Sequence, residues 1–220
     1  MTDTATLVRL MTWLSPTFPV GGFNYSHGLE QAVAGGLVDT QASLKDWIGA
    51  LLRQGSAWND AVLFAEAWRL AASGGDLTEV SELAEALAGS SERHLETINQ
   101  GLAFLAASRA WPLPVHAELE EGAAWPVAVG AVAGAAGIAL QPALAAFLHA
   151  FAANQVQAAL RLMSIGQAAG VAVMAALEGE IGDVASHAAR SGLDDLGSAT
   201  LNAEIAAINH ETLNSRIFRT

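Results

Sequence analysis

The chain has 220 residues, no cysteine, 52% hydrophobic and only 15% charged residues, and a formal net charge of -12. With that net charge and Lys45 as its one lysine, the chain argues against a nucleic-acid backbone as ligand, since phosphate binding needs a basic patch. The missing cysteines remove disulfides, thiolate metal sites and thiol nucleophiles together, and fit a reducing compartment.

The length fits one domain over residues 1–220. Charge is scarce for an ordinary soluble surface, which points to a partner or second copy covering part of the exterior. Arg9 interrupts the first apolar segment and no small-residue cleavage site follows it, so no secretory signal is expected and a cytoplasmic location is. Residues 122–160 lack any Asp, Glu, Lys or Arg. Pro126 and Pro142 cut this stretch and much of it is alanine and glycine, which predicts closely packed buried helices and no membrane span.

In chain order, Leu7, Leu10, Met11 and Leu14 predict a helix with these residues on its inner face. Residues 13–30, WLSPTFPVGGFNYSHGLE, combine turn chemistry (Pro16, Pro19, Gly21, Gly22) with Phe18, Phe23 and Tyr25. Two readings fit: a segment tucked under its own core, or a preformed docking surface with aromatic anchors. A short helix starting near Asn24 or Ser26 and ending at Gly35 would place His27 and Glu30 on a shared face. Thr40 caps a helix with the stripe Leu44, Trp47, Ile48, Leu51 and Leu52. Asn59 or Asp60 caps the next, and Asp76 another carrying Leu77, Val80, Leu83 and Leu87. Ser90 or Ser91 opens a longer helix with Leu95, Ile98, Leu102 and Leu105 inward, and Glu92, Arg93, Glu96 and Gln100 around its other faces.

Trp111, Pro112 and Pro114 form a rigid connector, and Glu118, Glu120 and Glu121 a solvated loop or short helix. The small residues of 125–139 predict a helix near the middle of the bundle, because they let backbones approach. Gln141 caps a long helix with Pro142 at its first position. Another runs from Gln167 to Leu177, followed past Gly179 by short helices over 181–189 and 194–211. No stretch alternates with the period of a strand, so the fold class is all-α, a single-domain helical bundle of about ten helices.

No nucleotide-binding or nucleophile motif is present. The six histidines form no metal-ligand spacing, so neither a catalytic nor a metal site is expected in one chain; a shared site on a two-fold axis stays open. Ser26 and His27 are neighbours in sequence, the wrong geometry for a base to serve a hydroxyl. Gln167, in an apolar helix, reads as a buried amide bonded to backbone, or else as a polar interface anchor. At the end of the chain, Arg216 and Arg219 flank Phe218 in an otherwise acidic protein. Such a tail is either solvated or anchor chemistry, with guanidinium forks for carboxylates and a ring for a pocket.

Residues 13–30 resemble the N-terminal signature of the urease accessory protein F (UreF) family. The resemblance continues in WPVAVG at 125–130, RLMSIGQ at 161–167, and HET leading to SRIFR at 210–219. Four blocks in order make it specific. It departs at Leu213 and Asn214, where the family has a glutamine and a tyrosine, at Ser164 in place of a proline, and at Ala168 and Ala169 in place of polar residues. The resemblance implies a non-enzymatic, all-α homodimer in urease maturation, without its own cofactor. It would bridge the nickel-carrying GTPase UreG and the scaffold UreD (UreH) to apo-urease, with nickel handled by the complex. It places Phe23, Tyr25, His27 and Glu30 near a dimer or GTPase-facing surface, and Arg216, Phe218 and Arg219 in a tail, about 210–220, that orders against UreD. A regulator of the UreG GTPase cycle is the alternative. An all-α enzyme acting on a small apolar substrate is a third reading, favoured by a large pocket with convergent polar groups.

Overall fold

The computed structural model describes residues 3–220. Among these residues there are eleven α-helices and no strand. They are α1 Thr4–Trp13, α2 Leu29–Ala34, α3 Gln41–Gln54, α4 Ser56–Ser73, α5 Thr78–Ala86, α6 Ser91–Ser108, α7 Val115–Glu118, α8 Trp125–Ala135, α9 Leu140–Leu162, α10 Gln167–Ala188 and α11 Leu201–His210. One-turn 3₁₀ helices lie at Gly22–Asn24 and Leu193–Asp195.

The centre is α8, buried on every side from Pro126 to Gly134. Its small residues seat it directly on α4. A Cβ on Gly130 would sit 2.4 Å from the Phe64 carbonyl oxygen, and one on Gly134 2.4 Å from that of Trp68. Aromatic rings tie the N-terminal segment into this centre: Trp13 meets Phe104 edge-on at 5.9 Å, Phe104 meets Trp125 at 5.5 Å, and Trp125 stacks on Phe147 at 5.9 Å. The stretch expected to hold packed helices does so. α9 is long and apolar enough to cross a membrane by length and composition, and half of its most apolar window is buried inside the fold.

Capping follows the sequence at several ends. The Asp3 carboxylate accepts from the Thr6 N–H at 2.8 Å, Thr40 and Ser43 form a reciprocal capping box, and the Ser90 hydroxyl accepts from the Arg93 N–H. Other boundaries move. α4 begins at Ser56, so Asn59 and Asp60 lie inside it, and α5 begins at Thr78 with Leu77 at its cap. α9 starts at Leu140, which puts Pro142 within its first turn, where an amide hydrogen is dispensable. α10 continues through Gly179 as one 22-residue helix, because Gly179 faces open space and helix packing on both sides carries it. The last helix is shorter than 194–211.

Two faces are partly turned from the expected ones, with Leu10 and Leu105 inward as expected. On α1, Leu10 and Trp13 are buried while Leu7 and Met11 are exposed. On α6, Leu95 and Leu102 face outward, and Glu96, Thr97 and Gln100 face inward with Gly101, Phe104 and Leu105. The reason is Gly101: a Cβ there would lie 1.9 Å from the Ala123 carbonyl oxygen. Close contact with the 123–124 backbone turns the polar stripe of α6 into the protein.

Candidate functional site

The two segments singled out by their chemistry, 23–30 and 216–220, meet. The Arg219 N–H donates to the Asn24 carbonyl at 2.8 Å, and the Ser26 N–H donates to the Thr220 carbonyl at 3.0 Å. The Ser26 hydroxyl also donates to that carbonyl. The Thr220 hydroxyl accepts from the Ser26 and His27 amides and donates to Glu96 Oε2 at 3.1 Å. Residues 216–220 therefore form a strap across the aromatic loop.

The loop that receives the strap is shaped by two left-handed residues. His27 has φ 53 and Gly28 φ 78, so α2 starts only at Leu29, and the expected helix through His27 does not form. A side chain at Gly28 would strike the Ala207 backbone of α11 at 2.8 Å. Because of this turn, His27 and Glu30 diverge and serve different partners.

His27 joins a buried ion cluster. Its Nε2 lies 2.8 Å from Glu96 Oε1, and Arg93 reaches Glu96 Oε2 at 2.6 Å and Asp60 at 3.8 Å. The Gln100 amide donates to Glu96 at 3.0 Å. Burial alone would raise the Glu96 pKa, but the guanidinium of Arg93 and the imidazole of His27 outweigh it and hold it at about 2. Asp60, farther from Arg93, is raised by burial. Arg93 is raised, its desolvation outweighed by Glu96 and Asp60.

Glu30 fastens the strap. Its two oxygens accept the Ile217 N–H at 2.6 Å and the Phe218 N–H at 2.9 Å, and His210 Nε2 lies 3.0 Å from one of them. His210 Nδ1 lies 2.7 Å from Glu92, which also accepts from Arg216. Phe218 is buried beneath the Arg161 guanidinium, 4.3 Å from its ring centre, and Arg161 donates to the Phe23 carbonyl at 3.0 Å.

Of the expected residues, Tyr25, His27, Glu30, Arg216, Phe218 and Arg219 converge here, with Tyr25 and Phe218 turned into the fold. Phe23, 64% exposed, points out. The loop is therefore tucked under the core at Tyr25 and leaves the Phe23 ring uncovered. Gln167 does not join: it is the exposed first residue of α10, not a buried amide. Asp60, Glu92, Arg93, Glu96, Arg161 and His210 were not anticipated. The signal of Glu92, Arg93, Glu96 and His210, charges three or four apart on α6 and a histidine before the tail, is identical to that of a solvated face.

A cavity of about 590 Å³ is walled by Trp13, Trp125, Phe147 and Phe151 together with the ion cluster. This is the size of a small-molecule pocket. Its polar groups are occupied with one another, however: Glu96 accepts from Arg93, His27, Gln100 and Thr220. Ser26, the hydroxyl nearest His27 in sequence, is spent on the Thr220 carbonyl. Among the described residues no group of three or more metal-ligating side chains converges.

Fold and site together define an all-α bundle protein whose C-terminal strap completes its own surface. The sequence profile of the UreF family matches residues 38–178. A Brucella canis protein named Urease accessory protein UreF 1 is 58% identical over 217 residues, covering 99% of this chain and 95% of its own length. Urease accessory protein UreF of Rhizobium leguminosarum is 58% identical over 214 residues, covering 97% and 96%. A Brucella anthropi relative is 56% identical over 220 residues, covering 100% and 96%. The chain belongs to the UreF family.

Proposed function

We propose that this protein is a non-catalytic adaptor of urease maturation in the cytoplasm. In this reading it forms a homodimer and bridges the GTPase UreG and the scaffold UreD/UreH to apo-urease, with nickel as cargo of the complex. The observation that carries it is the joining of loop and strap, 194 residues apart, into one surface. Exposed Phe23 and Ile217 stand there beside Arg216 and Arg219, while the neighbouring backbone is held from behind by Glu30, Glu96 and Arg161. Exposed aromatic and arginine side chains on a preorganised backbone are the anchors that partner proteins use.

For the dimer, the support is α10. Gln167, Ala168, Val171, Ala172, Ala175 and Ala176 form an outward helix face without charge, and Val171 is 70% exposed. Replacing Val171 with Arg should shift the mass measured by light scattering from dimer to monomer without loss of helicity.

The deciding experiment is co-purification with UreD and UreG using Phe23→Ala, Ile217→Ser and Arg219→Glu, which leave buried Phe218 and Thr220 in place. Loss of either partner with an unchanged thermal midpoint supports the adaptor; full retention by the triple variant refutes it. One observation favours a second reading, regulation of the GTPase: Arg219 is exposed and in no ion pair among the described residues. An arginine supplied to a GTPase stabilises transition-state charge. Single-turnover GTP hydrolysis with wild type and Arg219→Ala separates the two.

A further inference from the structure

We propose that the C-terminal strap is a proton-linked latch, closed by a doubly protonated His210 and released when that proton is lost. His210 is fully buried, and its two ring nitrogens face two different carboxylates, Glu92 at 2.7 Å and Glu30 at 3.0 Å. An ionised carboxylate only accepts, whereas a neutral imidazole has one N–H and one lone pair. A neutral ring would leave one carboxylate against the lone pair of an imidazole that is itself 0% exposed.

The proton does not reside on the carboxylates instead. Glu30 already accepts the Ile217 and Phe218 amides on its two oxygens, and Glu92 accepts the Arg216 guanidinium. Donors of this kind favour the ionised carboxylate. The charged groups facing the ring are Glu30 from α2, Glu92 from α6 and, through Glu92, Arg216 from the strap. With imidazolium in place the quartet is neutral.

The same two carboxylates hold both the ring and the strap. Loss of the proton leaves one uncompensated negative charge among Glu30, 6% exposed, and Glu92, 15% exposed, and water solvates that charge fully only when the strap leaves. Closure therefore takes up a proton, and the strap opens as pH rises, by linkage. Opening would uncover Phe218 and Thr220 and free Glu30, Ser26 and the His27 turn. The latch rests on the strap's geometry and is independent of what the strap binds.

The test is hydrogen exchange at the Ile217 and Phe218 amides of the full chain from about pH 5 to about pH 8, the range in which imidazole changes charge, corrected for base-catalysed exchange. The strap-opening constant should rise with pH in wild type, approaching about tenfold per unit for one linked proton, and rise less steeply in His210→Gln. Nitrogen NMR of wild type should show both His210 nitrogens carrying hydrogen while the strap is closed. That measurement decides even if the variant does not fold. A pH-independent opening constant in wild type, an unchanged slope in the variant, or a lone-pair nitrogen in the closed state would overturn the latch.

Discussion

The Arg161 guanidinium covers the Phe218 ring at 4.3 Å while donating to the Phe23 carbonyl, so one side chain of α9 clamps the strap onto the loop. A cation over an aromatic face and one hydrogen bond are each worth on the order of 1 kcal/mol. Arg161→Ala should loosen the strap and leave the bundle intact. Trypsin should then cut after Arg216 several-fold faster than in wild type, with an unchanged helical signal. Equal cutting rates would remove Arg161 from the clamp.

Glu96 is the nearer of two carboxylates on the buried Arg93 and pairs with His27, so removing its charge leaves that guanidinium with Asp60 alone, 3.8 Å away. Breaking one side of a buried pair costs about 3–5 kcal/mol. Glu96→Gln, nearly the same shape, is expected to lower the thermal midpoint by roughly 10 °C at neutral pH, using about 2–4 °C per kcal/mol for this size. A change within a degree or two would mean that the cluster is solvated.

Acid should destabilise the protein in two stages. Burial holds the His116 imidazole below its ordinary value, so the unfolded chain binds that proton first. Stability from this residue is present above the ordinary histidine range and falls as pH drops through it. Glu96, held at about 2 against an ordinary 4.5, contributes stability that is complete above 4.5 and lost between there and 2. Asp60, raised by burial, acts in the opposite direction and makes the second stage shallower. Urea midpoints measured against pH would test this: in His116→Asn the first stage disappears and the second remains.

Two glycines should respond with opposite signs. Gly130→Ala forces a methyl group into the Phe64 backbone and should cost about 3 kcal/mol or more, since neither helix can yield locally. Gly179→Ala, inside α10 and facing open space, should gain about 0.4–1 kcal/mol by restricting the unfolded chain. Calorimetry on the pair reads both, and a destabilised Gly179→Ala would contradict the continuous α10.

By itself, the sequence determined the all-α class, the capped starts of α3 and α6, the central place of the alanine- and glycine-rich helix, and the family. Each rests on local chemistry: spacing, caps, side-chain size, or motif blocks. It also marked the loop and the tail as unusual. Only the tertiary structure decided that these two segments bind each other, and that the polar stripe of α6 lies inside. A buried carboxylate and a solvated one look alike along the chain. What separates them is whether Arg93, His27 and Thr220 arrive from other elements to satisfy Glu96, and whether His210 and the strap amides arrive to satisfy Glu30. Those partners lie up to 188 residues away, and their arrival depends on close approaches such as those at Gly28 and Gly101, which no local pattern encodes.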